Sequence, residues 1–119
     1  MKKSMQKNQD KKRVFVITDK KTSTEIELTQ ETYDNISKVK HPEIQCSGDI
    51  KRAILDPDAI TADTVRRSLN YYRQEPKYAN RHMRVVVVED SDSKGHVITA
   101  YTPRLRGISD YKGTVIWKK

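Results

Sequence analysis

RVVVVEDSDSKGHVITAYT, at residues 84–102, is the stretch that decides the fold. Four consecutive valines follow Arg84, and branching at Cβ favours an extended strand that is buried on both faces. The polar residues 89–95 predict the loop of a hairpin, and HVITAYT at 96–102 predicts its second strand. Because no other stretch has this apolar density, we expect the hairpin at the centre of a sheet.

The rest of the chain is divided by apolar spacing, by helix caps and by prolines. The predicted elements are a hairpin at 14–18 and 25–28, helices at 30–40 (capped by Thr29) and 48–55 (capped by Ser47), a strand at 65–73, a loop at 74–82 and a last strand at 112–117. Helices before a run of strands indicate an α+β fold. We predict that the N-terminal hairpin and the two helices pack on one face of a roughly four-stranded antiparallel sheet.

Composition limits the organisation and the compartment. The chain has 119 residues, which fits a single domain at 13–119 preceded by a flexible basic arm at 1–12. One cysteine, Cys46, cannot form an intrachain disulfide, so a reducing cytoplasmic compartment is expected. No apolar run approaches the ~20 residues of a membrane helix, so no membrane partner is expected.

A formal net charge of +8 predicts a polyanionic partner, with RNA as the expected one. Part of this charge lies in the arm, but the domain keeps its own basic residues. Arginine binds phosphate through two parallel hydrogen bonds, which suits this role. The predicted nucleic-acid-binding residues are Arg66, Arg67, Lys77, Arg84, Arg104 and Arg106.

The polar residues also suit metal-independent cleavage of RNA. Three scattered histidines and one cysteine do not form a metal-binding pattern, so neither a metal nor a cofactor is expected. RNA can instead be cleaved by its own 2′-hydroxyl, if the protein supplies a base, an acid and cations for the developing phosphorane charge. Histidine, whose ordinary pKa is ~6.5, glutamate, tyrosine and arginine meet these needs.

Several short motifs occur in an order that resembles one known family. They are HPEI at 41–44, DPD at 56–58, YYR at 71–73, VVVV at 85–88, VITAYT at 97–102 and VIW at 115–117. Together they resemble the phage and bacterial branch of the barnase–EndoU–colicin–RelE-like nuclease superfamily (the BECR fold). In similar sequences a lysine usually follows the valine run, where this chain has Glu89.

The resemblance implies an α+β domain with a metal-independent ribonuclease activity, in a toxin or phage context. It also implies a cognate inhibitor protein as a further partner, while the oligomeric state stays open. Carried over from the matching motifs, the implied catalytic residues are His41, Glu43, Tyr72, Arg73, Thr99 and Tyr101.

Two other functions remain open. The same fold could serve as a non-catalytic module that binds nucleic acid or protein, or as an inert relative retained in a larger phage assembly. For the individual residues, His41 could cap the end of a helix, Glu43 could pair with a surface cation, and the tyrosines could be ordinary strand residues.

The first prediction separates the arm from the domain. Deleting residues 1–12 should weaken RNA binding and reduce its salt dependence, because fewer counterions are released on binding. Measurable affinity should survive, since the domain keeps its own arginines. The check is a binding titration of both forms at several salt concentrations, and complete loss of binding on truncation would contradict a site in the domain.

Overall fold

One mixed sheet of seven strands runs through the computed structural model, which describes residues 12–119. The strands are β1 Arg13–Asp19, β2 Thr24–Thr29, β3 Ala59–Asp63, β4 Ser68–Glu75, β5 Arg81–Ser91, β6 Lys94–Tyr101 and β7 Thr114–Lys118. Their order across the sheet is β1-β2-β6-β5-β4-β3-β7, and only the β2–β6 pair is parallel. The hairpin of β5 and β6 is therefore central, as its valine run predicted.

Two short helical segments connect β2 to β3. The first is α1, Gln30–Asp34, which continues as one π-helical stretch over Asn35–Lys40; the second is α2, Ser47–Leu55. Thr29 is confirmed as the N-cap of α1, because its hydroxyl accepts from the Thr32 N–H at 3.2 Å. Cys46, and not Ser47, occupies the N-cap position of α2. Within residues 12–119, no helix has the length and apolarity needed to cross a membrane.

The predicted four-stranded antiparallel sheet with a hairpin on its face is wrong, although the α+β class holds. The N-terminal hairpin lies within the sheet, because Glu25 to Glu27 of β2 pair in parallel with Lys94 to His96 of β6. The segment after Pro57 forms β3, which pairs with both β4 and β7. The pairing of β2 with β6 joins segments that are far apart in the chain, so it leaves no local pattern in the sequence.

Two predicted boundaries also shift. Arg67 has a left-handed φ of 54° in the turn before β4, so β4 begins at Ser68 and runs on to Glu75. The predicted hairpin loop is mostly strand, because β5 continues to Ser91 and β6 starts at Lys94. Polar residues are tolerated in these strand ends because they lie in solvent.

The two faces of the sheet differ sharply. On the core face, Tyr71, Val85, Val87 and Val97 are buried under the helices together with Ile50. The opposite face, called the open face below, carries Asn70, Tyr72, Arg84, Thr99 and Tyr101 by alternation along the strands. Burying each large aliphatic side chain contributes ~1.5–3 kcal/mol, so the core face holds the sheet together and the open face is available for function.

A buried carboxylate anchors the first hairpin to the core. Asp19, at the end of β1, is fully buried and accepts hydrogen bonds from the Tyr71 hydroxyl at 2.6 Å and the Thr22 hydroxyl at 2.9 Å. Lys21 Nζ lies 2.6 Å from the same carboxylate. Burial alone would raise the pKa of Asp19, but these donors outweigh it and hold the pKa below its usual value. The charged form of Asp19 therefore stabilises the fold.

This carboxylate predicts a pH-dependent stability. A lowered pKa in the folded state gives stability that is present above the ordinary value of 3.8 and is lost as pH falls through the lowered value. Asp19→Asn should cost ~1–3 kcal/mol at pH 7, since Lys21 and Tyr71 lose a charged acceptor, and the difference from wild type should shrink below pH 3.8. Urea unfolding at several pH values measures this, and a difference independent of pH would contradict it.

Candidate functional site

Three side chains of the open face lie side by side on the central strands. The register pairs Arg84 of β5 with Tyr72 of β4 and with Tyr101 of β6. The Arg84 guanidinium carbon lies 5.8 Å from the Tyr72 ring centroid and 5.4 Å from that of Tyr101, and Arg84 Nη1 donates to the Tyr101 hydroxyl. The cation is thus held between two aromatic rings.

Asn70 fixes the orientation of this guanidinium. Its side-chain carbonyl accepts from Arg84 Nε at 3.1 Å and from Nη2 at 2.8 Å, while its amide donates to the Thr61 hydroxyl at 3.1 Å. Among residues 12–119, the hydrogen-bond partners of Arg84 are neutral groups. One N–H on each terminal nitrogen is left over, because guanidinium has five donors. Arg84 therefore keeps both its charge and two donors for an anion.

His41 approaches the same cluster from the end of the first helical segment. Its ring stacks on Tyr101 with a centroid separation of 5.3 Å and an interplanar angle of 25°. His41 Nδ1 lies 3.6 Å from Glu43 Oε2, and Glu43 in turn accepts from the Thr102 hydroxyl at 3.3 Å. The HPE and TAYT motifs, far apart in sequence, thus meet at one end of β6.

A groove lies beside Arg84 on the open face. Its volume is about 320 Å³, and its polar lining includes Arg66, Asn70, Arg84 and Lys112. The one carboxylate in its lining is Asp63, which accepts two backbone N–H groups at 3.1 and 3.2 Å. Because three cations face this single acid, the groove favours an anionic ligand of about nucleotide size.

A connecting segment closes one end of the open face. Residues 103–113, called the strap below, place Tyr111 parallel to Tyr72, with centroids 4.1 Å apart and planes 3° apart. The Lys112 N–H donates to the Tyr72 hydroxyl at 2.9 Å, and the Tyr111 hydroxyl lies 3.0 Å from His82 Nε2. Burial raises the pKa of Tyr72, so this buried tyrosine, predicted to be catalytic, holds the strap in place and remains protonated.

The predicted catalytic residues divide into two groups. Tyr72 and Tyr101 flank Arg84, and Thr99 lies on the same face of β6, opposite Val86. His41 joins this group by stacking on Tyr101, with Glu43 beside it. Arg73 does not join them. Arg73 lies on the core-face side of β4 near the end of the strand. There, Nη1 donates a hydrogen bond to Asp56 Oδ2 at 2.9 Å, and Nε donates one to the Glu75 carboxylate at 3.4 Å. Arg84, predicted from the sequence to bind RNA, is the cation that the fold brings to Tyr101, on whose ring His41 stacks.

The other predicted binding residues are spread over four places. Arg66 lies in the groove beside Arg84, whereas Arg67 lies in a turn, 3.9 Å from Asp92. Lys77 is bonded to the buried Asp49 at 3.0 Å. Burial alone would raise the pKa of Asp49, but Tyr78 and Lys77 hold it below its ordinary value. Arg104 and Arg106 line a separate groove near the start of β5.

Sequence reasoning missed Asn70, His82, Thr102 and Tyr111. Asn70 carried a signal, since asparagine is depleted in strands and here lies between leucine and tyrosine. Tyr111 is the aromatic residue of the strap, which also contains Leu105 and Ile108. Glu89 does not face Arg84, because the two lie an odd number of positions apart on one strand and side chains alternate.

His82 gives the strap a pH-sensitive support. It is buried, its Nδ1 has no hydrogen-bond partner among the described residues, and burial holds its pKa below the ordinary value of 6.5. Because the unfolded chain binds the proton more readily, stability is full above pH 6.5 and falls as pH drops through the lowered value.

Replacing His82 tests this directly. His82→Gln keeps a polar partner for Tyr111 but cannot titrate, so the loss of stability below pH 6.5 should become shallower than in wild type. Unfolding curves between pH 5 and 8 measure it, with His96→Gln as the matched control because His96 is half-exposed beside Asp90. An equal effect of both variants would contradict the assignment.

Comparisons with protein-family models, with curated proteins and with solved structures gave no match for this chain. Within residues 12–119, no group of three or more histidine, cysteine or acidic side chains has the geometry to hold a metal ion. The function of this chain is therefore inferred from the geometry around Arg84, Tyr101 and His41.

Proposed function

We propose that this chain is a small endoribonuclease that cleaves RNA without a metal, with the scissile phosphate bound on the open face. One observation carries the proposal. Arg84 is held by Asn70 and Tyr101 and has no acidic partner among residues 12–119, while the ring of Tyr101 is stacked on His41. A phosphate on the two remaining donors of Arg84 would therefore lie close to two proton-transferring side chains.

The roles follow from the donors and acceptors. His41 takes the proton of the 2′-hydroxyl, and the 2′-oxygen attacks phosphorus to form the 2′,3′-cyclic phosphate. The bond from phosphorus to the 5′-oxygen breaks, and Tyr101 gives its proton to that leaving oxygen. The Tyr101 proton is available because the oxygen accepts from Arg84 and need not donate to it. Arg84 neutralises the charge that develops on the phosphorane.

Glu43 supports His41 once the imidazole is protonated. Its carboxylate lies 3.6 Å from Nδ1, which leaves Nε2 for the substrate, and the Thr102 hydroxyl bonds to the same oxygen. Glu43 therefore acts as a positioning residue that holds the His41 ring, and its loss should lower the rate of cleavage more than the affinity for RNA.

The groove of Arg66, Arg84 and Lys112 also supports a second candidate, a module that binds RNA and does not cleave it. Binding needs the cations only, whereas cleavage also needs His41 and Tyr101. A lack of cleavage by pure wild-type protein, together with tight binding, would favour this module.

Two variants test the catalytic roles. His41→Ala should lower RNA cleavage by roughly 10²–10⁴-fold and leave binding nearly unchanged, because only proton transfer is lost. Tyr101→Phe removes the proton donor and keeps the ring that stacks on His41, so it should also lower cleavage more than binding. Wild-type cleavage should persist in EDTA and give 2′,3′-cyclic phosphate ends, and its loss in EDTA would reject the mechanism.

Two arginines of neighbouring strands test the identity of the cation. Arg84→Lys should reduce binding and cleavage together, since lysine keeps the charge but loses the two-pronged phosphate contact. Arg73→Ala is the matched control, because it removes a charge that is already neutralised by Asp56 and Glu75. Thermal unfolding of both variants checks folding, and a larger loss of cleavage in Arg73→Ala would contradict the assignment of Arg84.

A further inference from the structure

A second basic groove lies where the strap passes the start of β5. Its volume is about 400 Å³, and it is lined by Ala79, Asn80, Arg81, Arg104, Leu105 and Arg106. Three of these six residues are arginines, and none is acidic. Within residues 12–119, none of these three arginines forms an ion pair with an acidic side chain. Three unneutralised guanidinium groups around one groove favour a ligand with several negative charges.

The walls of this groove are fixed before any ligand binds. Ala79 and Asn80 have consecutive left-handed φ angles of 58° and 62°, and the Asn80 carbonyl accepts from Gln74 Nε2 at 3.3 Å. On the strap side, the Arg106 N–H donates to Asp110 Oδ2 at 2.7 Å. Because hydrogen bonds hold the backbone of both walls, less backbone freedom is lost on binding than in mobile loops.

A smaller depression connects this groove to the proposed cleavage site. It shares Ala79 and Arg81 with the three-arginine groove, and it is also lined by Glu43 and Thr102, which bond to each other beside His41. Along the chain, Thr102 follows Tyr101 directly and lies two residues before Arg104. The depression therefore joins Glu43 and Thr102, the neighbours of His41 and Tyr101, to Arg81 at the edge of the three-arginine groove.

We propose that Arg81, Arg104 and Arg106 bind the phosphates of the single-stranded RNA segment that flanks the cleaved phosphate. The proposal rests on the ribonuclease function above and extends it from one phosphate to a strand. RNA carries its negative charges at intervals along a chain. This spacing matches Arg81, Arg104 and Arg106, called the track below, which lead away from the reaction centre. Cleavage should therefore favour longer RNA over a dinucleotide.

A single strand fits better than a duplex for a chemical reason. The 2′-oxygen must rotate into line with phosphorus and the leaving 5′-oxygen, and correct orientation is a large part of such a barrier. An A-form helix holds its backbone in a regular stacked geometry, whereas a single strand can be turned by contacts on either side of the reacting phosphate. Arg81 and the strap arginines supply such contacts on one side.

The experiment compares two triple variants in the His41→Ala background, so that RNA is bound but not consumed. The test variant is Arg81→Ala with Arg104→Ala and Arg106→Ala. The control carries Lys20→Ala, Lys51→Ala and Lys118→Ala, which remove the same charge from exposed positions that line neither the three-arginine groove nor the connecting depression. Binding of a fluorescent dinucleotide and of a single strand of about 12 nucleotides is measured against salt concentration.

The expected result is specific to length. For the longer strand, the slope of log affinity against log salt should fall by about 2 in the test variant, since each lost contact in a single strand removes ~0.7. In the control variant, this slope should change by less than half as much. The affinity for the dinucleotide should be equal in the two triple variants. With His41 restored, cleavage of the longer strand should fall at least tenfold, while dinucleotide cleavage is unchanged.

The outcomes separate this inference from the proposed function. Equal slopes in the two triple variants would overturn the track, even if wild-type protein cleaves RNA. A duplex of the same length that binds with the same dependence on the three arginines would overturn the single-strand assignment. If wild-type protein cleaves no RNA but the arginine variant still shows the length-specific loss, the ribonuclease function fails and the track stands as a binding site.

Discussion

The register of β5 between β4 and β6 is the constraint on which the rest of this molecule depends. It puts Tyr72, Arg84 and Tyr101 in one row across three strands, and the valines around Arg84 keep that row in place by filling the core behind it. A slip of one residue would turn every side chain of β5 to the other face. Burial on the core face therefore determines the geometry of the open face.

Arg84 illustrates how the fold prepares a cation without neutralising it. A carboxylate partner would hold the guanidinium as firmly, but it would cancel the charge that an anionic ligand needs. Asn70 and Tyr101 instead fix the side chain through neutral oxygens. Arg73 shows the opposite arrangement one residue after Tyr72, since two carboxylates occupy its donors and give it a structural role.

The sequence predicted those parts of the fold that depend on local pattern. The valine run predicted a central strand, and Thr29 predicted a helix start. It did not predict the parallel pairing of β2 with β6, because that contact joins two hairpins through backbone groups, whose hydrogen bonds do not depend on side-chain type. Residues 59–63 were too short and mixed to predict β3, which is stabilised by its two neighbours.

The same limit applies to the candidate site. The HPE and TAYT motifs were recognised separately, and His41 does stack on Tyr101. The sequence could not predict which of Arg73 and Arg84 is the cation of the candidate site. That depends on which face of the sheet each arginine occupies and on where Asp56 and Glu75 lie. The cover of Tyr72 by Tyr111 was not predictable either, because it depends on how the strap folds back.

The most direct measurement is an NMR titration of the arginine side-chain Nε–H signals with a dinucleotide whose 2′-hydroxyl is replaced by hydrogen, so that it binds and cannot be cleaved. The account predicts saturable shifts of the Arg84 signal and of the His41 ring at the same ligand concentrations, with the Arg73 signal unchanged. Shifts at Arg73, or an Arg84 signal that does not respond while the dinucleotide binds, would contradict it.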